Sequence, residues 1–443
     1  MRESSDKDDG RAVPSRRLSR LAGLGGMAAS IAGGAALNGA KQLASGKRPK
    51  ASDLFLTPSN AMKLTKQLSN MRGAAMKLGQ MISMDSGDFL PKELADILAR
   101  LRASAQHMPA AQLAKVLKAE WGPDWMSRFE HFQTRPIAAA SIGQVHRAIL
   151  PDGDDVAIKV QYPGVRESID SDVKNVASLL RMTGLVPASM DVKPVIEEGR
   201  RQLHQEADYI REAEYLCRFG ELLSGDDDFQ VPEFYPELST DKLLAMSYID
   251  SRPIEEMKDA SQGVRNRIVR NLMSLTLREL FEFKLMQTDP NFANYRYNEE
   301  TEQIVLLDFG ASREISDALS ADYRKLMETC LSGDVDTILA HITAMGLIPA
   351  EMSDEPRAVI HEMITMSIAP LGQDEVFDFG QNRMAVDLRD RGMEIASDRE
   401  LWHVPPPETV FLQRKLGGMY MLATRLRAQI NVAQLIRDHI APK

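Results

Sequence analysis

Cysteine is almost absent from this chain, and no pattern of Cys and His residues has the spacing of a metal site. Cys217 and Cys330 are the two cysteines among 443 residues, which argues against disulfide stabilisation and favours a reducing compartment. Neither has a Cys or His neighbour at zinc-ligand spacing, and the eight histidines are scattered. The sequence therefore predicts no structural metal site.

Aromatic residues are also scarce. They make up 6% of the chain, and in most segments Leu, Ala and Met outnumber the β-branched and aromatic residues that strands favour. Helix is therefore predicted to dominate. With 443 residues, 44% of them hydrophobic, the chain is long enough for two or three domains of roughly 100–200 residues.

Acidic residues are missing between Arg11 and Lys50, where eight basic residues occur. Residues 1–50 hold ten Lys and Arg against four Asp and Glu, a charge of +6, so from a total of −9 the remaining residues carry −15. No aromatic residue is interleaved with these basic residues to stack on bases. The segment is therefore predicted to bind anionic membrane lipids and not nucleic acid.

A twenty-residue stretch in this segment, Leu21 to Ala40, carries no charge but has few strongly apolar side chains. Its length would just span a bilayer core, yet thirteen of its residues are Gly or Ala, so spanning is marginal. Two interpretations remain open. The stretch is either a helix in the membrane interface that pairs through its small residues, which would form a homodimer, or a flexible linker.

Two polar residues stand out on a helix predicted to begin near Ser59. Its apolar residues recur at intervals of four and three from Leu64 to Ile82, the spacing of one helical face. Lys77 and Gln80 lie on another face, where such residues are usually solvated. Two glycines close to them weaken the helix by about 1 kcal/mol each, which indicates close packing at this face.

The first strands are predicted around a small-residue loop, Ala138 to Gln144. A hairpin follows, and its strands flank Asp152-Gly153, a dipeptide that favours tight turns. The second strand ends in Val-Ala-Ile-Lys at Lys159. Because a lysine in a buried strand is costly unless it is paired, Lys159 is predicted to be functional.

The other predicted elements follow from apolar periodicity and from Gly and Pro stops. One helix spans Ala110 to Glu120, two span about 164–184 and 194–223, and one spans Ser261 to Lys284. A strand from Leu243 to Ile249 leads to a predicted hinge at 250–253. After Gly310 the chain is predicted to be helical, with breaks at Gly346, at 370–372 and at 405–407.

Three acidic residues, Glu206, Asp208 and Glu212, lie on the polar side of the helix predicted at 194–223. Asp208 and Glu212 are four residues apart and would share a face, whereas Glu206 would lie about 200° around the helix from Asp208. These acids could therefore serve two different partners. A solvated acidic face is the commoner explanation, but Lys77 and Lys159 each require a carboxylate.

Asp289 and Asn294 are separated by the interval at which kinase catalytic loops carry a base-position Asp and a metal-binding Asn. Asp308 then opens Asp-Phe-Gly after an apolar strand predicted at Ile304 to Leu307. The tripeptide alone is weak because turns favour Asp and Gly, and it recurs at Asp378 without such a strand. The combination of Asp289, Asn294 and Asp308 predicts a phosphoryl-transfer site.

These motifs together resemble those of the UbiB family of atypical kinase-like proteins, also called aarF-domain kinases, and above all the branch that supports coenzyme Q biosynthesis. The resemblance covers about residues 50–443. Six motifs in one order are far more specific than any one of them. They are Lys77-Leu78-Gly79-Gln80, Ala138 to Gln144, Val156 to Lys159, Glu206 to Tyr209 with Glu212, Gln287 to Asn294, and Asp308-Phe309-Gly310.

The resemblance implies an α+β, protein-kinase-like bilobal fold that is predominantly helical, with a helical N-terminal extension and a helical C-terminal region. The implied division is a membrane-interacting segment at 1–50, the extension at 51–125, a first lobe at 126–250 and a helical lobe at 251–443. The family binds ATP with Mg²⁺, associates with membranes and acts as an ATPase more than as a conventional protein kinase.

The resemblance also implies partners and a location. The implied partners, besides ATP and anionic membrane lipids, are coenzyme Q intermediates or the enzymes that make them. The implied location is the cytoplasmic face of a bacterial inner membrane, with the mitochondrial inner membrane as the alternative.

Roles follow from the resemblance for the residues that match its motifs. Lys159 would contact the ATP phosphates and pair with Glu212. Asn294 and Asp308 would hold Mg²⁺, and Asp289 would take the base position. 

The resemblance gives further roles to residues outside that set. Lys77 and Gln80 would lie over the active site against Glu206 and Asp208. The loop that covers the phosphates would be rich in Ala where ordinary kinases have Gly. Its implied nucleotide-binding residues are Ala138, Ala139, Ala140 and Ser141.

Two departures from ordinary protein kinases argue against phosphorylation of protein substrates. Gln287 and Thr288 replace the His and Arg that precede the catalytic Asp, and no Ala-Pro-Glu motif follows Asp308. Activation through an Arg and a phosphorylated loop therefore has no anchor here. Two alternatives remain open, a small-molecule phosphotransferase of the aminoglycoside-kinase kind and a nucleotide-binding scaffold.

Overall fold

The computed structural model of the protein describes residues 107–182, 193–371, 374–395 and 405–441. The chain is divided into two compact units. The first contains the described residues up to Glu214 together with Glu233–Tyr248, and the second contains Tyr215–Pro232 together with the described residues from Ile249 onward. 

Several predictions lie outside the described residues. They are the predictions for the basic segment at 1–50 with its stretch Leu21 to Ala40, for the helix that carries Lys77 and Gln80, and for most of the extension at 51–125.

The strands are short, and most of them pair antiparallel. In chain order they are β1 (His131–Phe132), β2 (Ala138–Ala139), β3 (Gly143–Ile149), β4 (Asp155–Gln161), β5 (Phe229–Gln230), β6 (Leu243–Ser247), β7 (Arg252–Pro253), β8 (Leu285–Gln287), β9 (Tyr295–Asn298), β10 (Gln303–Leu306), β11 (Ser312–Glu314), β12 (Phe377–Asp378) and β13 (Gln429–Ile430).

Helices account for most of the regular structure. In chain order they are α1 (Ala110–Trp121), α2 (Val165–Met182), α3 (Lys193–Glu206), α4 (Tyr209–Leu222), α5 (Gln262–Arg278), α6 (Asp317–Ser332), α7 (Val335–Ala344), α8 (Asp354–Ser367), α9 (Met384–Ile395), α10 (Pro407–Arg425) and α11 (Val432–Ile440).

The first unit is built on an antiparallel sheet in the order β1-β3-β4-β6, with β2 paired to β3. Strands β3 and β4 form the predicted hairpin, and Gly153 in its turn has a φ of 95°, which favours glycine. Lys159 lies between Val145 of β3 and Leu244 of β6 in the register of the sheet. The hairpin thus places Lys159 on a central strand.

The core of the first unit joins α1 to this sheet. Leu113, Leu117 and Trp121 recur every four residues on α1 and are all buried, as an amphipathic helix requires. The ring centroids of Trp121 and Phe129 are 5.3 Å apart, and both residues belong to a cluster with the inner side chains of β3, β4 and β6. The helix predicted at Ala110 to Glu120 is confirmed, with Gly122 at its end.

The single helix predicted at 194–223 is wrong, because the chain forms two helices, α3 and α4, in this range. Asp208 sits in the break, where its Oδ1 accepts a hydrogen bond from the Arg211 amide at 3.1 Å. An Asp at this position caps the first turn of the second helix. Asp208 and Glu212 therefore do not share a helical face as predicted.

The second unit contains small sheets among helices. Strand β10 lies between β5, which runs parallel to it, and β9, which runs antiparallel, and β7 pairs antiparallel with the other side of β9. Strand β8 pairs with β11, with Gln287 opposite Ser312. In the chain, the segment from Asp289 to Asn294 follows β8, and Asp308 follows β10.

Helix α5 leads into β8. Ser261 caps its first turn by accepting from the Val264 amide, and after Arg278 the helix widens into a π turn, Glu279–Phe283. Lys284 then ends it in the left-handed conformation with a φ of 53°. The helix predicted from Ser261 to Lys284 is thus present with a widened last turn.

Helices α6 to α11 form most of the chain after Gly310, as predicted, although β11 and the β12–β13 pair interrupt them. Leu277, Leu280 and Phe281 from the α5 region pack in one apolar cluster with Phe411 and Leu412 of α10. No helix within the described ranges is long and apolar enough to cross a membrane.

Candidate active site

A buried ion pair holds the Lys159 side chain in the first unit. Its Nζ lies 2.8 Å and 2.9 Å from the two carboxylate oxygens of Glu212. Lys159 is 9% exposed and Glu212 is 1% exposed. The Tyr209 ring centroid lies 5.3 Å from the same Nζ, close enough for a cation–π attraction. The strand, the carboxylate and the ring together fix the position of this ammonium group.

The break between α3 and α4 explains why Glu212 reaches Lys159. A new helix begins at Tyr209, so Glu212 lies in its first turn, where a negative charge is favourable. The break leaves the Ala207 carbonyl without a helical partner, and Gln161 of β4 donates its side-chain amide to this oxygen at 3.0 Å. Lys159 and Gln161 of one strand therefore anchor both sides of the break.

The Ala-rich segment, Ala138 to Gln144, packs over this part of the first unit. Ala138 and Ala139 form β2 and are exposed, and the Ala140 amide donates to the Gly143 carbonyl at 2.9 Å to close the turn. The Ser141 hydroxyl donates to Oε2 of Glu206 at 2.6 Å. Sequence reasoning assigned Glu206 to Lys77 and did not predict this contact with Ser141.

Gly143 allows the segment to approach the sheet closely. A Cβ atom at this position would lie 2.5 Å from the Val160 carbonyl oxygen and 2.9 Å from the Tyr209 hydroxyl, closer than real Cβ atoms approach. Any other residue would therefore push the end of the Ala-rich segment away from β4.

Two polar side chains of β3, those of Gln144 and His146, are buried. Gln144 accepts from the Met108 amide at 2.6 Å and donates to Nε2 of His146 at 2.8 Å. His146 in turn donates from Nδ1 to the Gln133 carbonyl at 2.9 Å. Burial lowers the pKa of His146 to about 4, so this imidazole stays neutral near pH 7 and both of its nitrogens are satisfied.

Asp289 and Asn294 lie on one short loop of the second unit. Oδ1 of Asp289 accepts from the Asn291 amide at 3.3 Å, and Nδ2 of Asn294 donates to the Asp289 carbonyl at 3.3 Å. Because the Asn294 nitrogen is used in this bond, its amide oxygen is the atom suited to a metal. Asn294 is itself buried.

Asp308 lies beside this loop. The Leu307 amide donates to the Asn294 carbonyl at 3.1 Å, and Oδ1 of Asp308 accepts from the Gly310 amide at 3.0 Å. The Thr288 hydroxyl donates to the Ala311 carbonyl at 2.6 Å. The second unit thus brings together the segments that carry the three residues predicted to mark a phosphoryl-transfer site.

The second Asp-Phe-Gly shows how little the tripeptide specifies by itself. Oδ1 of Asp378 accepts from the Gly380 amide at 2.8 Å, the same local turn as at Asp308. Asp378 lies on β12, which pairs with β13 and not with a strand beside the Asp289 to Asn294 loop. The interpretation of this copy as an ordinary turn agrees with the structure.

Sequence reasoning missed a buried lysine next to the loop. Lys415 of α10 is 1% exposed, and its Nζ donates to the Gln287 carbonyl at 2.8 Å and to the Tyr295 hydroxyl at 2.9 Å. A signal was present, because Lys415 falls on a stripe with Leu412, Met419 and Leu422, where a lysine is out of place.

The side chains of Asn294 and Asp308 fit a small divalent cation. Mg²⁺ prefers oxygen ligands and takes few of them from the protein, since phosphate oxygens and water supply the rest. Among the described residues, no group of three or more His, Cys, Asp and Glu could hold a metal ion. The side-chain oxygens of Asn294 and Asp308 suit a cation that also binds phosphate oxygens. In the first unit, the fixed ammonium of Lys159 suits a phosphate oxygen.

Comparison with known proteins identifies the family of this chain. Residues 100–342 match the ABC1 atypical kinase-like domain. The mitochondrial atypical kinase COQ8 of Saccharomyces cerevisiae is 39% identical over 100% of this chain and 88% of its own length. The mitochondrial atypical kinase COQ8B of Rattus norvegicus is 37% identical over 98% of this chain and 82% of its own length. These relatives do not favour the aminoglycoside-kinase alternative.

A solved structure shares the fold. The complex of Rv3197 with erythromycin from Mycobacterium tuberculosis aligns with a TM-score of 0.61 at 24% identity, over 87% of this chain and 96% of that one. The predicted α+β, protein-kinase-like fold is confirmed. By its match to the family model and its identity to the COQ8 relatives, the chain belongs to the ABC1 atypical kinase-like family, the UbiB or aarF-domain family that its motifs resemble.

Proposed function

We propose that the protein is a Mg²⁺-dependent ATPase of the atypical kinase type that supports coenzyme Q biosynthesis at a membrane. The observation that carries the proposal is the buried pair of Lys159 and Glu212, with Nζ 2.8 Å from the carboxylate. Buried ion pairs contribute little net stability, so a function better explains why this lysine is held on a central strand. In kinases the equivalent pair positions the lysine that contacts nucleotide phosphates.

The loop residues of the second unit would serve the metal and the reaction. Asn294 and Asp308 would hold Mg²⁺ through their side-chain oxygens, and bound MgATP supplies the transferable phosphoryl group. Asp289 would orient the attacking hydroxyl or water and accept its proton. The Asn291 amide, 3.3 Å from Oδ1 of Asp289, restricts the orientation of that carboxylate.

The Ala-rich segment would modulate how the nucleotide binds. Ala138, Ala139, Ala140 and Ser141 would cover the phosphates, and the Ser141 contact with Glu206 would hold the segment in place. Ala restricts the backbone freedom that Gly gives to phosphate-binding loops. Lys77, Gln80, Glu206 and Asp208 would restrict access to the site, so that water reacts and protein hydroxyls do not.

The coenzyme Q assignment comes from the family. Relatives named COQ8 are mitochondrial atypical kinases, and the sequence motifs resemble the coenzyme Q branch. We propose coenzyme Q intermediates or their biosynthetic enzymes as partners, and anionic lipids as the surface on which they meet. The proposed location is the cytoplasmic face of a bacterial inner membrane, with the mitochondrial inner membrane as the alternative.

The test is ATP consumption by the purified full-length protein with Mg²⁺, measured with and without anionic liposomes and phenolic ring compounds that mimic coenzyme Q precursors. We expect Mg²⁺-dependent hydrolysis that increases when both are added. Neutral liposomes serve as the control for charge. The absence of Mg²⁺-dependent hydrolysis under every condition would refute the ATPase proposal, and hydrolysis insensitive to both additions would refute the membrane and coenzyme Q parts.

A further inference from the structure

Both backbone polar groups of Gln287, two residues before Asp289, are held by buried charged side chains of the second unit. The Gln287 amide donates to Oε1 of Glu279 at 3.2 Å. Its carbonyl accepts from Nζ of Lys415 at 2.8 Å. Glu279 and Lys415 are each 1% exposed. The end of β8 is therefore fixed by two ionisable groups that are shielded from water.

Lys415 is the centre of this arrangement. Its Nζ also lies 3.3 Å from Oε2 of Glu279 and donates to the Tyr295 hydroxyl at 2.9 Å. Tyr295 directly follows Asn294 in the chain. One ammonium group thus contacts the residue after the metal-binding candidate Asn294 and the residue two before Asp289.

Burial and the neighbouring charges shift the pKa values of this cluster in opposite directions. Burial alone lowers the pKa of Lys415, but the neighbouring Glu279 and Tyr295 raise it above its usual value. Burial raises the pKa of Glu279, and the attraction of Lys415 partly offsets this. A buried pair of this kind contributes little net stability compared with apolar residues of similar volume, so stability does not explain its presence beneath the loop.

A second contact reaches the loop from the other side of Asp289. Gly418 lies three residues after Lys415 on α10, on the same side of the helix. A Cβ atom at Gly418 would lie 2.4 Å from Cβ of Pro290, which directly follows Asp289. Helix α10 therefore touches the chain both before and after Asp289, through a polar contact at Gln287 and a close packing contact at Pro290.

We infer that α10 is a positioning element for the proposed reaction and that Lys415 and Gly418 set the location of Asp289. The inference rests on the proposed ATPase function. Lys415 contacts the loop backbone at Gln287 and Gly418 packs against Pro290, so both act on Asp289 through the loop. Misplacing a reacting group by about 1 Å can lower the rate on the order of 100-fold, which makes such support consequential.

Neighbouring glycines on α10 provide a matched test. Gly418→Ala should force Pro290 to move, whereas Gly417→Ala adds a methyl group where nothing lies within 4 Å. We expect Gly418→Ala to lower kcat for ATP hydrolysis by about 10-fold or more while MgATP affinity stays within about 2-fold. Gly417→Ala should match the wild type in both measurements. Equal kcat values for the two variants would overturn the inference for Gly418.

A coupling measurement separates positioning from a purely structural role of Lys415. Met retains the length of the lysine stem without the charge, so we expect Lys415→Met to lower kcat by about 10-fold or more. In an Asp289→Asn background the same change should lower kcat by less than about 2-fold, because Lys415 acts through Asp289. Independent, multiplying losses would overturn the role. If Lys415→Met fails to fold, the paired change Glu279→Gln with Lys415→Met removes the buried unpaired charge.

Hydrogen exchange gives a readout that does not need catalysis. Peptides covering 285–295 should exchange about 10-fold faster in Lys415→Met and Gly418→Ala than in the wild type, and Gly417→Ala should be unchanged. Faster exchange in a protein without ATPase activity would retain the support role and reject the proposed function. Unchanged exchange and kcat in both variants, with wild-type hydrolysis intact, would reject the support role alone.

Discussion

Within the described residues, each unit buries a lysine against a glutamate, Lys159 with Glu212 and Lys415 with Glu279. Taking two charges out of water costs about as much as their attraction returns, so replacing such a pair by apolar residues is often neutral. Losing one partner is far worse, because the other charge remains buried. These positions can therefore separate stability from function in experiments.

At Lys159 we expect the single and double replacements to differ. Lys159→Met leaves the Glu212 carboxylate buried without its ion pair and should lower the free energy of unfolding by about 3–5 kcal/mol. Lys159→Met with Glu212→Leu should recover most of that loss without restoring MgATP binding. Denaturant unfolding and calorimetric ATP titration would measure the two effects. Recovery of ATP binding in the double variant would contradict the phosphate-contact role of Lys159.

At Asp308 we expect Asp308→Asn to abolish Mg²⁺-dependent ATP binding while the protein stays folded. The amide oxygen can still accept from the Gly310 amide, 3.0 Å away in the wild type, but it lacks the charge that a hard cation prefers. Asp378→Asn is the matched control, because its turn to Gly380 is the same. Unchanged Mg²⁺-dependent affinity in folded Asp308→Asn would contradict the metal assignment.

His146 should make the protein less stable in mild acid. Its pKa in the folded protein is about 4, lowered from 6.5 chiefly by burial, so the unfolded chain takes up the proton first as pH falls. The stabilisation is therefore present above pH 6.5 and is lost progressively between about 6.5 and 4, by about 3 kcal/mol in total. A titration of ¹³C-labelled histidine that placed His146 near 6.5 would contradict this.

At the scale of elements, the hairpin and many helix ends could be predicted because single residues determine them. Gly122 stops α1, and the turn at Gly153 requires a positive φ. The break between α3 and α4 could not, because the apolar periodicity continues through it and Asp208 occurs both on helix surfaces and as a cap. The Ala207 carbonyl at the break accepts from Gln161, which lies on a strand distant in sequence.

Some residues of the candidate site could be predicted from local sequence, whereas others depend on long-range contacts. Asp289 and Asn294 are marked by their spacing and Asp308 by the apolar strand before it, so the sequence alone could predict them as candidates. Lys415 lies more than 100 residues from the loop it contacts, so its place on an apolar stripe could reveal a buried lysine but not its partner. Long-range contacts of this kind depend on tertiary packing, and only the structure shows them.

The Ala-rich segment leads to a prediction at this scale. We expect Ala139→Gly to increase autophosphorylation, because Gly lets the segment wrap the phosphates more closely. Lys77→Ala should do the same by removing the proposed contacts with Glu206 and Asp208. Radiolabelled ATP measures the transfer, with an alanine-to-glycine change at exposed Ala110 as the control. Wild-type autophosphorylation equal to that of both variants would contradict the proposed restriction of access.

At the scale of the whole molecule, charge is distributed unevenly along the chain. Residues 1–50 carry +6 and the remainder carries −15, so an anionic bilayer attracts the first segment and repels the rest. Eight basic residues between Arg11 and Lys50 occur without an acid. Each one engaged with the membrane surface contributes about 1 kcal/mol, and added salt weakens the attraction.

Deleting residues 1–50 should therefore weaken binding to anionic liposomes, and the loss should be largest at low salt. Flotation at two salt concentrations measures it, and replacing the eight basic residues by Gln in the full-length chain is the control that keeps the apolar stretch Leu21 to Ala40. If charge dominates, this control behaves like the deletion; if the apolar stretch contributes, it retains salt-insensitive binding. Flotation unaffected by the deletion and by high salt would place the membrane-binding surface within residues 51–443, against the repulsion of their −15 charge.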